Sequence, residues 1–122
     1  MSLTLHSVVN AKTPAGEKVW LLATEDVNLS GYAVVDRTFD PKGTVSNEFR
    51  HIFVFPGKAI KKNQFVCLHT GNGTYNVTEV SGQTHHHFYW QSGSCVWNDK
   101  GGDTATLIKF TTVNSKIVPK VE

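Results

Sequence analysis

The chain has 122 residues, 39% hydrophobic and 18% charged, with a formal net charge of +2. That length gives one domain spanning 1–122 and leaves no room for a second. Aromatic residues make up 11%, which excludes a disordered chain, and no apolar run reaches the roughly 18 residues of a membrane helix.

The strands follow in chain order. Leu3, Leu5 and Val9 alternate with Thr4, His6 and Val8. Val19 to Ala23 is a continuous apolar run, as in a strand covered on both faces. Tyr32 to Val35 is the third strand. Phe49, His51, Phe53 and Phe55 alternate with Arg50, Ile52 and Val54 in the fourth. Phe65 to Leu68, His85 to Trp90, Thr104 to Phe110 and Lys116 to Val121 complete eight. No apolar i, i+3, i+4, i+7 pattern is sustained, so helices are not expected. Turn residues punctuate the strands at Pro14-Ala15-Gly16, Leu29-Ser30-Gly31, Pro41-Lys42-Gly43, Pro56-Gly57, Gly71-Asn72-Gly73, Ser81-Gly82 and Lys100-Gly101-Gly102-Asp103. Short strands with regular turns predict an all-β sandwich of about eight strands.

Three segments carry a resemblance. The first is Val27-Asn28-Leu29-Ser30-Gly31-Tyr32. The second is His51 to Gly57 with Phe65-Val66-Cys67-Leu68-His69-Thr70-Gly71. The third is Tyr89-Trp90 followed by Val96-Trp97-Asn98-Asp99 and Gly102-Asp103-Thr104-Ala105-Thr106-Leu107. In this order they resemble the lamin-tail domain family, over roughly residues 3 to 110. The resemblance implies an immunoglobulin-like sandwich. It also implies a non-catalytic interaction module, structural or adhesive, with a protein partner. In that arrangement Leu29 plugs the core and Trp97 is a large core or rim aromatic.

The search for chemistry finds little else. There is no Gly-x-Ser-x-Gly elbow, His-Glu-x-x-His, P-loop or dinucleotide fingerprint, so no enzyme activity and no organic cofactor are expected. Asp99 and Asp103 flank a turn, but Lys100 occupies a place where a Ca²⁺ loop needs oxygen. Basic residues cluster only at Lys58, Lys61 and Lys62, so nucleic-acid binding is not expected on charge grounds. Met1 to His6 has no basic segment followed by an apolar stretch, so no leader is expected there.

The His85-His86-His87 run is the unusual feature. On a strand, His85, His87 and Tyr89 share one face, and His86, Phe88 and Trp90 the other. His85 and His87 are therefore the candidate metal ligands, with Cys95, His69 or Glu79 as a third. Cys67 and His69 also share a strand face, where Phe65 beside them predicts a buried thiol rather than a nucleophile. Carbohydrate binding is a further reading, and it requires Trp20, Trp90 or Trp97 on an exposed flat face. Tyr75, Tyr89 and Trp90 are the candidates for an exposed aromatic patch.

Overall fold

The computed structural model describes residues 2–39, 45–97 and 103–121, with the backbone alone at 37–39, 45–50 and 103. The turns expected at Pro41-Lys42-Gly43 and at Asn98 to Gly102 lie outside the described residues, as does the Asp103 side chain.

The chain is all-β. Its strands are β1 (Leu3–Val9), β2 (Lys18–Ala23), β3 (Val27–Asn28), β4 (Tyr32–Phe39), β5 (Val45–Val54), β6 (Ala59–Ile60), β7 (Phe65–His69), β8 (Asn76–Val80), β9 (Gln83–Tyr89) and β10 (Asp103–Lys109). One 3₁₀ turn, Pro14–Gly16, precedes β2. No helix among the described residues is long and apolar enough to cross a membrane.

Five strands form one sheet in the order β1-β2-β7-β9-β8, and three form another in the order β10-β4-β5. β3 and β6 make a short two-stranded ladder. Neighbours are antiparallel except β7 and β9, which run parallel. Parallel neighbours need a crossover; here it runs through β8, which returns to β9 by the two-residue turn Ser81-Gly82. Both turn residues have positive φ, 51° and 81°, as a tight hairpin of matching twist requires.

Period-two alternation sends Leu3, Val19, Leu21, Ala23, Val66, Leu68 and Phe88 of the larger sheet into one core. Tyr32 and Val34 of the smaller sheet meet them, with Phe53 and Leu107 packed against the cluster. This shared core is consistent with a sandwich. Leu29, Phe55, Ile60, Val96 and Trp97 close it from the connections. Gly31 has φ +87°, and a Cβ there would stand 3.0 Å from the Phe110 carbonyl oxygen. Only glycine makes that turn without strain.

The eighth strand expected at Lys116 to Val121 is absent. Residues 111–121 form no regular structure, and Val113, Ile117, Val118 and Val121 are 83–99% exposed. Their alternation has no surface to bury against. Conversely, β3, β6 and β8 appear where none was expected.

Among the described residues, two carboxylates are fully buried, Glu17 and Asp36. Glu17 enters β2 from the 3₁₀ turn, and its two oxygens accept the N–H groups of Val96 (2.7 Å) and Trp97 (3.1 Å). A buried carboxylate is tolerated when its charge is met by such donors. Here it holds the Val96-Trp97 connection over the core.

Candidate functional site

β7 lies in the middle of the larger sheet, with β2 on one side and β9 on the other. Its alternation puts Val66 and Leu68 in the core and Phe65, Cys67 and His69 on the outer face. Cys67 stands in register with Trp20 of β2 and with His87 of β9. β9 faces the same way with His85, His87 and Tyr89. Thus β2, β7 and β9 tile the outer face with Trp20, Phe65, His69, His85, His87 and Tyr89, and Cys67 lies buried beneath them.

Ring contacts order this layer. Trp20 meets His85 edge-on at 5.1 Å and His87 at 6.4 Å. The Tyr89 ring stacks on His69 at 4.6 Å and 11°. Gly73 makes room for that stack, because a Cβ at Gly73 would overlap the Tyr89 ring. Asn76 donates its side-chain N–H to the Tyr89 hydroxyl at 3.0 Å.

Within the layer, Cys67 Sγ and one ring nitrogen each of His69 and His87 all lie within 4.8 Å of one another. His69 Nε2 and His87 Nδ1 are 2.8 Å apart, a hydrogen bond with one proton between two nitrogens. The far nitrogen of His87, Nε2, bonds Thr78 Oγ1 on β8 at 2.8 Å. Burial pushes His69 down to about 4, helped by the neighbouring His87 and Lys18. Burial, then His85 and Lys18, lower His87 as well. Burial pushes the Cys67 thiol up to about 12, against an opposing pull from Lys18. At neutral pH the two rings are therefore neutral, with lone pairs to offer, and the thiol keeps its proton.

His85 and His87 share the outer face, as the alternation predicts, but their neighbourhoods differ. His87 joins Cys67 and His69. His85 turns to Phe65 and Trp20 and lines a groove of about 360 Å³ with His6, Ser7 and Gln83. Of the third ligands named from sequence, His69 is brought to His87. Glu79 instead accepts a hydrogen bond from Thr84 at 2.7 Å, and Cys95 Sγ points to the Ala11 carbonyl at 3.5 Å. Both cysteines are free. His86 faces the core side, donating Nε2–H to Gln64 Oε1 (3.0 Å) and accepting the Tyr75 hydroxyl at Nδ1 (2.8 Å).

The tryptophans are less available than a sugar platform needs. Trp97 is buried and Trp90 packs against it and Phe53. Trp20 is half-buried, and its contacts with Phe65, His85 and His87 are all steep edge contacts. Of the candidate aromatic patch, Tyr75 is exposed, whereas Tyr89 and Trp90 are half-buried.

Two features escape the sequence reading. Buried Asp36 on β4 faces His51 on β5, with Oδ2 to Nδ1 at 2.8 Å, on the core side beside Trp90. Among the described residues, no hydroxyl or thiol is hydrogen-bonded to His51. The second feature is β8. Among the described residues it is paired with β9 alone, and all five of its residues are exposed. Val77 pairs with buried His86, on the core side of the sheet, yet it is 47% exposed.

Comparison of the chain with protein-family models, with curated proteins and with solved structures found no match.

Proposed function

We propose that this chain is a non-catalytic binding module of the lamin-tail type, built as an immunoglobulin-like sandwich, which takes a protein partner by strand addition at β8. The observation that carries the reading is the open edge at Asn76–Val80. An edge strand leaves a row of unpaired N–H and C=O groups, and folded proteins usually blunt it with Lys, Pro or a bulge. β8 has no Lys, Pro or bulge, and its one charge, Glu79, is turned to Thr84 of β9. Its register with β9 is unbroken over five pairs, and Val77 and Val80 stand exposed for pockets of a partner to receive. An extended peptide laid there gains main-chain hydrogen bonds and alternate side-chain contacts.

The lamin-tail part of the reading draws support from what its motif residues do. Leu29 fills the core, Gly31 makes the positive-φ turn into β4, and Trp97 covers the core. These are structural duties, as expected of an interaction module.

The test selects peptides from a random display library on the purified domain and maps the binders by amide hydrogen exchange. Protection at residues 76–80, lost in a Val77→Lys/Val80→Lys double variant that keeps its melting temperature, supports the proposal. Protection elsewhere, or robust hydrolytic turnover by the domain, overturns it.

A further inference from the structure

We propose that Cys67, His69 and His87 form a binding site for a tetrahedral d-block cation, Zn²⁺ first among them. Its three donors lie on β7 and β9, off the β8 edge proposed for a partner; β8 contributes only the outer hydroxyl of Thr78.

The pairing of two strands, β7 and β9, assembles it. Cys67 and His69 are i and i+2 on β7, which puts both on the outer face. The parallel register then sets His87 directly opposite Cys67. Every donor atom lies within 4.8 Å of the others. A tetrahedral Zn²⁺ with Zn–S of about 2.3 Å and Zn–N of about 2.0–2.1 Å needs donors roughly 3.3–3.6 Å apart. The His69–His87 nitrogens, now 2.8 Å apart, open by about half an ångström, and the thiol, within 4.8 Å of them, closes by at most about 1.3 Å. Rotations of the three side chains supply these movements without shifting β7 or β9.

The hydrogen-bond pattern points the same way. Two ring nitrogens this close serve one cation once the rings turn so that both lone pairs converge on it; without it they share a proton. On metal binding that proton moves to the far nitrogen of its own ring, and both near nitrogens become donors. His87 then carries its proton on Nε2, where Thr78 Oγ1 stands at 2.8 Å to accept it. Such an outer partner fixes the tautomer and ring orientation of a metal-binding histidine. Tyr89, stacked on His69, holds the second ring. Binding releases the Cys67 thiol proton to solvent as the S–metal bond forms, so the site gains a net single positive charge from a divalent ion.

The donor set decides the class of ion. One thiolate and two imidazoles suit Zn²⁺, Co²⁺ and copper, and they do not suit Mg²⁺ or Ca²⁺, which take oxygen. Three protein donors leave one position of the tetrahedron for water or an outside ligand.

The experiment uses the untagged chain under a thiol reductant. Calorimetric titration with Zn²⁺ is expected to show one ion per chain. Co²⁺ is expected to give an intense thiolate-to-metal charge-transfer band that Zn²⁺ abolishes. The band is read in a Cys95→Ser variant, where Cys67 is the one thiol left, so it reports Cys67 even if a Cys67 variant folds poorly. His87→Ala removes the band, Thr78→Val weakens binding about 10–100-fold, and His85→Ala leaves both titrations unchanged. Absence of Zn²⁺ binding by the folded wild type overturns the proposal. So does a Co²⁺ spectrum without the thiolate band, or loss of binding in His85→Ala with retention in His87→Ala.

Discussion

Glu17 and Trp97 are tied across 80 residues of chain, the Glu17 Oε2 accepting the Trp97 N–H at 3.1 Å inside the core. The other oxygen serves Val96, so a single carboxylate satisfies two backbone donors that have no strand partner. Glu17→Ala leaves both donors buried and unpaired. At about 1–3 kcal/mol for each unsatisfied group, the expected loss is about 2–5 kcal/mol. Urea unfolding followed by tryptophan fluorescence measures it. Glu17→Gln keeps one acceptor oxygen and is expected to lose less. A loss below about 0.5 kcal/mol in Glu17→Ala, the range of an ordinary surface change, contradicts this role.

Leu29→Ala tests the core in the same assay. Leu29 is fully buried between the sheets, and truncation leaves a cavity as well as lost transfer energy. The expected cost is about 2–5 kcal/mol.

Removal of residues 112–122 is expected to leave the melting temperature nearly unchanged, within about 0.5 kcal/mol of stability. The last ladder contact of this region is the Phe110 N–H to the Gly31 carbonyl at 2.7 Å, which the truncation preserves. A large loss of stability would mean that the tail packs on the domain after all.

This tail also shows how far the sequence is legible. Lys116 to Val121 has the residue types of a strand in Ile117, Val118 and Val121, but a strand also needs a neighbour and a covered face. Residue type reports neither of these. Asn76 to Val80 is the converse case. With two apolar residues in five it gives no pattern, and its pairing comes from the tight Ser81-Gly82 turn that folds it back on β9. Where both signals coincide, as from Val19 to Ala23 and from Phe65 to Leu68, the strands stand as the residues predict.

The candidate cation site divides in the same way. The face shared by Cys67 and His69, and that shared by His85 and His87, follow from alternation alone. Which of the latter two histidines meets the thiol depends on the register between β7 and β9. That register is set by the long connection through β8, and no local pattern encodes it. His85 and His87 are equivalent in sequence; two positions of register separate them.

Acid is expected to weaken the metal-free fold through the histidines. His69, His86 and His87 are all held below the ordinary value of 6.5, burial being the first cause in each. The unfolded chain therefore binds more protons than the native one once pH falls below about 6.5. Stability is fully present above that pH and declines as pH drops toward about 4, where native His69 takes up its proton. Urea midpoints between pH 8 and pH 4.5, in the presence of a chelator, measure this. The midpoint is expected to be flat above pH 7 and to fall below pH 6.5, and His69→Gln is expected to flatten the fall. An unchanged slope in that variant contradicts the assignment.

Gly73→Ala is expected to leave the sheets intact and displace the Tyr89 ring from His69, since a side chain at Gly73 occupies the same space. The imidazole proton resonances of His69, shifted by the ring current of the stacked tyrosine, report the displacement. Unmoved resonances would show that Tyr89 does not stack there in solution.

The order β1-β2-β7-β9-β8 also ranks the strands by how readily their hydrogen bonds open. β7 has ladders on both sides and cannot detach without breaking two of them, so its amides should exchange with solvent only when the whole domain unfolds. β8, like β1, has one ladder and frays before the strands between them. The three donors therefore ride on strands paired on both sides, Cys67 and His69 on β7 and His87 on β9, while the hydroxyl that steadies His87 rides on the edge. Each opening of β8 unlatches Thr78 and frees the His87 ring to turn, so the lifetime of that small assembly is set at the rim of the sheet and not at its centre.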